Sequence, residues 1–185
     1  MTKTVLGVDL GKNLAAVLVG WDDSETIVQC LWANAKVVAC TSQEGLARVV
    51  ARFVDDCLYL DGHGCGGADL VIAEEAWIAP AYGRDGAKRK NPNSILPLCA
   101  AAGSVIGAMD ACGLEARLVK PLDVAKAVGI RGDEHMKMAP LLVSNLDLAK
   151  FVGPRGGLHL QPHVASAAVL AYYGLTRLMR GNGGD

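Results

Sequence analysis

Hydrophobic and polar positions along this chain switch between two periods. Thr4–Gly11, Leu14–Trp21 and Thr26–Trp32 are largely apolar stretches of strand length. Short polar turns such as Asp22-Asp23-Ser24 separate them, which predicts an antiparallel meander. Lys36–Ala39 either extends the third strand or forms another short one. The period then changes. Leu46, Val49, Val50, Phe53, Val54 and Cys57 fall at helical spacing on one face, with Arg48, Arg52 and Asp55 largely opposite. Thr41-Ser42-Gln43-Glu44 has the form of a capping box opening that helix, and the glycine-rich stretch 61–67 ends it. Asp69–Ala79 reads as a strand and its exit.

The second half reads mainly as helices. Asn91-Pro92-Asn93-Ser94 caps a helix running to about Cys112, with Pro97 tolerated in its first turn. Ala100–Gly103, Gly107, Ala108 and Ala111 leave much of that helix nearly bare, so the sheet or a second subunit can approach closely. Leu114–Val119 is a short strand, Pro121–Val128 a short helix and Gly129–Gly132 a turn. Asp133–Leu148 reads as helical, with Pro140 kinking or restarting it. After a break at Pro154–Gly157, Pro162 starts the final helix at its first position.

Carboxylates interrupt two of the apolar runs. T-V-L-G-V-D-L-G delivers Asp9 at the end of the first strand, and D-L-V-I-A-E-E delivers Glu74 and Glu75 at the end of the fourth. An unpaired carboxylate in a dry core costs several kcal/mol or shifts its pKa, so such an acid sits at an open strand end. Each is open to two readings: a site acid, or a turn-initiating or exposed acid.

At 185 residues, with 51% hydrophobic and 5% aromatic content, the chain suits one domain with an aliphatic core. That domain is expected over 1–180, with 181–185 as a disordered tail. No run approaches the roughly 20 apolar residues of a membrane span, and no signal pattern opens the chain. A cytoplasmic protein is the expectation. The six cysteines lack metal or disulfide spacing, and most are expected to be small buried hydrophobes. His63 and Cys65 read as part of a flexible glycine loop ahead of a metal pair. Charge is uneven: residues 1–78 carry a net −6 and residues 79–185 a net +5. The second half either suits a polyanion or carries ordinary surface charge. Its basic stretch Pro80–Lys90 holds Arg84, Lys88, Arg89 and Lys90, with Tyr82 as a stacking surface. Phosphate contact there is weighed against a solvated hairpin tip.

The order of three strands, helix, strand, helix, strand and helices, with acids on strands one and four, resembles the ribonuclease H-like fold. Within it, the chain resembles RuvC-type Holliday junction resolvases. The stretches that carry the resemblance are L-G-V-D-L-G, D-L-V-I-A-E-E-A-W-I-A, K-N-P-N-S-I-L-P-L-C-A-A-A-G, A-R-L-V-K-P-L-D-V-A-K-A-V-G-I-R-G and H-V-A-S-A-A-V-L-A. The resemblance implies an α/β fold with a five-stranded mixed sheet flanked by helices. It places the first and fourth strands side by side and the final helix across them. It implies Asp9, Glu74 (rather than Glu75) and His163 as catalytic residues and ligands of Mg²⁺ or Mn²⁺. Ser166 stands where the family has an aspartate, and is expected to hold a water at best. Lys126 or Lys137 would balance charge on the scissile phosphate, and Tyr82, Arg84, Lys88, Arg89 and Lys90 would contact DNA. The implied function is metal-dependent cleavage of four-way junctions or other branched DNA by a homodimer. The alternative is a weakened or inactive relative that binds branched DNA. A sugar-kinase-type phosphotransferase, suggested by G-V-D-L-G, needs a second duplicated half that 185 residues do not supply.

Overall fold

The computed structural model of the protein describes residues 2–10, 13–22, 29–39, 46–60, 68–75, 96–130, 134–151 and 160–181. Five strands run Thr2–Leu10 (β1), Asn13–Asp22 (β2), Gln29–Ala39 (β3), Leu70–Glu74 (β4) and Ala116–Val119 (β5). The helices are Leu46–Leu58 (α1), Leu96–Ala111 (α2), Pro121–Val128 (α3), His135–Leu142 (α4) and Gln161–Gly181 (α5). The sheet order is β3-β2-β1-β4-β5. The first three strands form the antiparallel meander, while β4 joins β1 and β5 joins β4 in parallel. This is the five-stranded mixed sheet expected from the sequence, with β1 and β4 side by side.

Alternation of side chains across the sheet builds two cores. Val5, Val17, Val19, Leu70 and Ile72 pack with α5 and residues of α3 and α4 on one face. Leu6, Val8, Leu18, Val71 and Ala73 pack with α1 and α2 on the other. The apolar stripe of α1 is buried at Val49, Val50, Phe53, Val54 and Cys57, and Arg48, Arg52 and Asp55 face outward. On α2, Ala101, Ala102, Val105 and Met109 are buried, whereas Cys99, Ala100, Gly103, Ser104 and Gly107 are exposed.

Several boundaries differ from the expected ones. Of the two readings open for Lys36–Ala39, the structure has the extension, so that β3 runs beyond Trp32 to Ala39. The ten-residue β2 offers β3 a partner along its whole length, with one register shift at Gly20/Trp21. The helix predicted over Asp133–Leu148 is divided: α4 ends at Leu142, and a 3₁₀ turn occupies Leu148–Lys150. Pro140 lies inside α4 on its exposed side, where its missing N–H removes one ladder bond near the helix end. Asp147 caps the 3₁₀ turn by accepting from the Ala149 N–H at 3.0 Å. The final helix begins at Gln161, one residue before Pro162. Of the cysteines, most of them expected to be buried, Cys57 is buried, Cys30 is partly so, and Cys99 and Cys112 are exposed on and just beyond α2. The capping segments 41–44 and 91–94, the glycine-rich stretch with His63 and Cys65, the break at 154–157 and residues 182–185 lie outside the described residues.

Two local features place β1 against its neighbours. The Asp69 carboxylate accepts hydrogen bonds from the Thr4 N–H at 2.7 Å and the Thr4 hydroxyl at 2.9 Å. The Asp69 N–H returns to the Thr4 carbonyl at 2.8 Å. This clamp starts a parallel register that pairs Val5 with Leu70 and runs to Val8 with Ala73. Asp9 and Glu74 are the next residues on the two strands. The second feature is Gly7. A Cβ there would collide with the Ala167 carbonyl and the Ala171 nitrogen of α5, both backbone atoms that cannot swing away. At the same crossing, a Cβ on Gly174 would press into Val5 and Ile72. The alanine-rich α5 therefore lies on β1 with almost no side chain between the two backbones.

Gly7→Ala is expected to destabilise the protein by about 3 kcal/mol or more, measured by urea unfolding, because backbone must move to relieve the clash. Gly103→Ala, in an open position of α2, is expected to gain ~0.5–1 kcal/mol from helix propensity alone.

Candidate active site

The two cores identify which acid of the Glu74–Glu75 pair belongs with Asp9. Val5 on β1 and Leu70 and Ile72 on β4 face α5, so two-residue alternation puts Asp9 and Glu74 on that face too. Glu75 follows the opposite parity, and its N–H is bonded to the Val119 carbonyl at 2.8 Å. On α5, helical spacing aligns His163 and Ser166 with Ala167 and Ala171, the residues that meet Gly7. The close crossing thus sets the first turn of α5 above the ends of β1 and β4.

His163 and Asp9 are in direct contact, Nδ1 to Oδ2 at 3.0 Å, with side chains 24% and 15% exposed. An ionised carboxylate only accepts, so Nδ1 carries the proton and donates it to Asp9. This leaves Nε2 as the ring's second functional atom. The hydrogen bond to Asp9 raises the His163 pKa above its usual value; burial opposes that rise, and the Asp9 charge adds to it. Glu74 is pushed up to about 7 by burial, with the negative charge of Asp9 contributing further. The site therefore has two carboxylates near enough to repel, and an imidazole bonded to one of them.

A cavity of about 490 Å³ opens beside Glu74, between α3 and α5. Ser166, itself only 8% exposed, lines it together with Val169 and Leu170 of α5. Lys120 and His135 also line this cavity. Lys120 directly follows β5, whose Val119 is the ladder partner of Glu74. These two residues were not singled out in the sequence. No buried apolar run marks Lys120 in the sequence, since β5 is short, half exposed and contains Arg117. His135 carries no signal either, because only the packing of α4 brings it there. Lys126 and Lys137 are exposed on α3 and α4, and neither lines the cavity. Tyr82, Arg84, Lys88, Arg89 and Lys90 lie outside the described residues.

Among the described residues, no group of three or more His, Cys, Asp or Glu side chains forms a ready-made metal cluster. The donor chemistry of the acid pair nevertheless fits a hard divalent cation. Mg²⁺ is commonly held by one or two carboxylates and keeps several waters, so a three-residue cage is not required. A carboxylate raised by burial and by a like charge is also one that a cation would return to its ionised form.

No protein-family model and no curated protein matches the chain. Solved structures do. A Thermus thermophilus RuvC structure aligns with 98% of this chain and 97% of its own, at 19% identity and a TM-score of 0.63. A second, T. thermophilus RuvC in complex with Holliday junction substrate, aligns with 98% of this chain and 96% of its own, at 17% identity and a TM-score of 0.64. The chain thus has the ribonuclease H-like fold of RuvC along nearly its whole length. No helix among the described residues is long and apolar enough to cross a membrane.

The raised pKa values make stability pH-dependent. A group whose pKa rises on folding holds its proton more tightly in the folded state, so its stabilising contribution is lost as pH increases. Glu74, moving from 4.5 to about 7, and His163, moving upward from 6.5, act in the same direction. In metal-free buffer the melting temperature is expected to fall by a few degrees between about pH 5 and pH 8. Glu74→Gln should flatten the lower part of that slope in a thermal melt series.

Proposed function

We propose that the protein is a RuvC-type endonuclease that cuts four-way junctions or other branched DNA by metal-dependent phosphodiester hydrolysis. The observation that carries this reading is the Asp9–His163 contact, with Glu74 beside Asp9, at one end of a sheet with the RuvC fold. In this reading residues 1–180 act as one domain, in the cytoplasm of a bacterial or phage-infected cell.

Asp9 and Glu74 would hold Mg²⁺ or Mn²⁺, which supplies charge neutralisation at the phosphate and an activated water. Asp9 also fixes the His163 ring through Nδ1. Orientation of one ring nitrogen by a carboxylate sets the tautomer and makes the other a better base or ligand. Nε2 is thereby prepared to take a proton from water or to complete the ligand set. The Ser166 hydroxyl offers a neutral hydrogen bond where a third carboxylate would add further repulsion. Tyr82, Arg84, Lys88, Arg89 and Lys90, with Lys126 and Lys137, are assigned to DNA contact, consistent with the net +5 of the second half. Symmetric cutting of a junction needs two sites, so the working form is a homodimer.

The second reading is a relative that binds branched DNA without cutting it. Two observations favour it: serine at position 166, and the lack of a three-donor cluster among the described residues. A synthetic four-way junction separates the two. With Mg²⁺ or Mn²⁺ the wild type should cut it. Asp9→Asn should cut on the order of 10³-fold more slowly while binding it about as tightly. Binding by the wild type without cleavage under either metal would select the second reading.

A further inference from the structure

We propose that the cavity between α3 and α5 is a subsite for the base and sugar of one unpaired nucleotide. The proposal rests on the reading of the Asp9–Glu74 end as a phosphodiester site, and names what that site grips beside the bond it acts on. The cavity's volume of about 490 Å³ lies within the ~300–1,000 Å³ of small-ligand sites. One nucleotide suits that size, and a base pair does not.

The lining divides by chemistry. Pro121 and Leu122 of α3 and Val169 and Leu170 of α5 supply apolar surface. The charged lining is Lys120 and Glu74 at adjacent strand ends, with a second carboxylate, Asp123, on α3 and the His135 ring beside them. A nucleotide has the matching division: a planar face to lie against aliphatic groups, and a phosphate that attracts Lys120 and approaches Glu74 only with a cation between. Leu122 is 59% exposed, and it lines this cavity. A leucine left in water at the edge of an apolar recess gains a dry contact when a flat ligand enters. Ser166 adds a hydroxyl that can donate to or accept from a base edge or a sugar oxygen.

This assigns the site a preference for unpaired nucleotides. Extruding a base from a duplex costs a few kcal/mol, and the cost is least where pairing is already broken. At a branch point the flanking pairs lose continuous stacking, so a nucleotide leaves its pair there at less cost than within a plain duplex. The cavity therefore gives one physical basis for choosing branched over plain duplex DNA.

The test is binding of small probes to the full chain without metal, followed by amide chemical shifts. The four deoxynucleoside 5′-monophosphates are compared with deoxyribose 5-phosphate and inorganic phosphate. At least one nucleotide should bind about tenfold more tightly than deoxyribose 5-phosphate, with shifts centred on 120–125 and 166–170. Leu122→Trp, at an exposed position, should block the recess and remove that base-dependent gain. Lys120→Ala should weaken nucleotide and inorganic phosphate alike. The subsite is overturned if no nucleotide outbinds deoxyribose 5-phosphate, if shifts centre elsewhere, or if Leu122→Trp keeps the gain. Junction cleavage reads Asp9 instead. Base-dependent binding without cleavage would defeat the nuclease reading alone, and cleavage without base-dependent binding would defeat the subsite alone.

Discussion

The near-contact of two backbones, α5 on β1 at Gly7, is the constraint on which the rest of the structure depends. Helix on sheet normally leaves room for side chains from both elements. Here Gly7 has none, and Ala167 and Ala171 present backbone atoms to it. That closeness makes the Asp9–His163 bond possible at 3.0 Å between residues 154 positions apart. It also explains the composition of α5, where Ala165, Ala167, Ala168 and Ala171 are all fully buried. Longer side chains at the crossing would lift the helix and carry His163 away from the strand ends. The packing that gives the core its density also sets the geometry of the site.

A second constraint acts along the sheet. The Asp69 clamp on Thr4 sits five residues before Glu74 on β4 and five before Asp9 on β1. Parallel strands that start in step stay in step, so a small exposed hydrogen-bond cluster at one end sets the acids level at the other. A one-residue slip would turn Glu74 to the opposite face and bring Glu75 round in its place. The result is electrostatically costly: burial and the Asp9 charge together push the Glu74 pKa up to about 7. Folding supplies the energy for this from the two cores, and the strained pair is left where a cation would relieve it.

Much of this was legible in the chain, for physical reasons specific to each element. The first helix announced itself because one face is wet, so its apolar positions keep helical time. Asp9 stood out because a charge had to end a buried strand. The choice of Glu74 over Glu75 came from family resemblance; periodicity was silent, since β4 is buried on both faces and Leu70, Val71, Ile72 and Ala73 are all apolar. The length of β3 was hidden because an edge strand takes its extent from its partner. The end of α4 at Leu142 was blurred by Pro140, which costs one bond near a terminus and so need not stop a helix at once. The exposed Cys99 and Cys112 follow from α2 turning a small-residue face outward, which composition does not reveal.

Lys120 shows where reading along the chain falls short of reading across it. Its own neighbourhood, L-V-K-P, offers a strand end and a helix start and nothing more. Its position acquires meaning only through the ladder, because Val119 pairs with Glu74 and the next residue must emerge beside that acid. Asp9, Glu74 and Lys120 thus stand at the carboxyl ends of three neighbouring parallel strands, β1, β4 and β5, with Lys120 just past the last of them. In an open sheet the crevice beyond the carboxyl ends of parallel strands is where ligands bind, since loops and helix starts converge there while the strands hold them rigidly. The α3 N-terminus follows Lys120 directly, with Pro121 at its first turn, and adds partial positive charge to the same edge. An acid pair suited to a cation and a positive edge suited to a phosphate are therefore consequences of one strand order, β1-β4-β5. Moving β5 elsewhere in the sheet would leave both acids in place and take away the cation beside them.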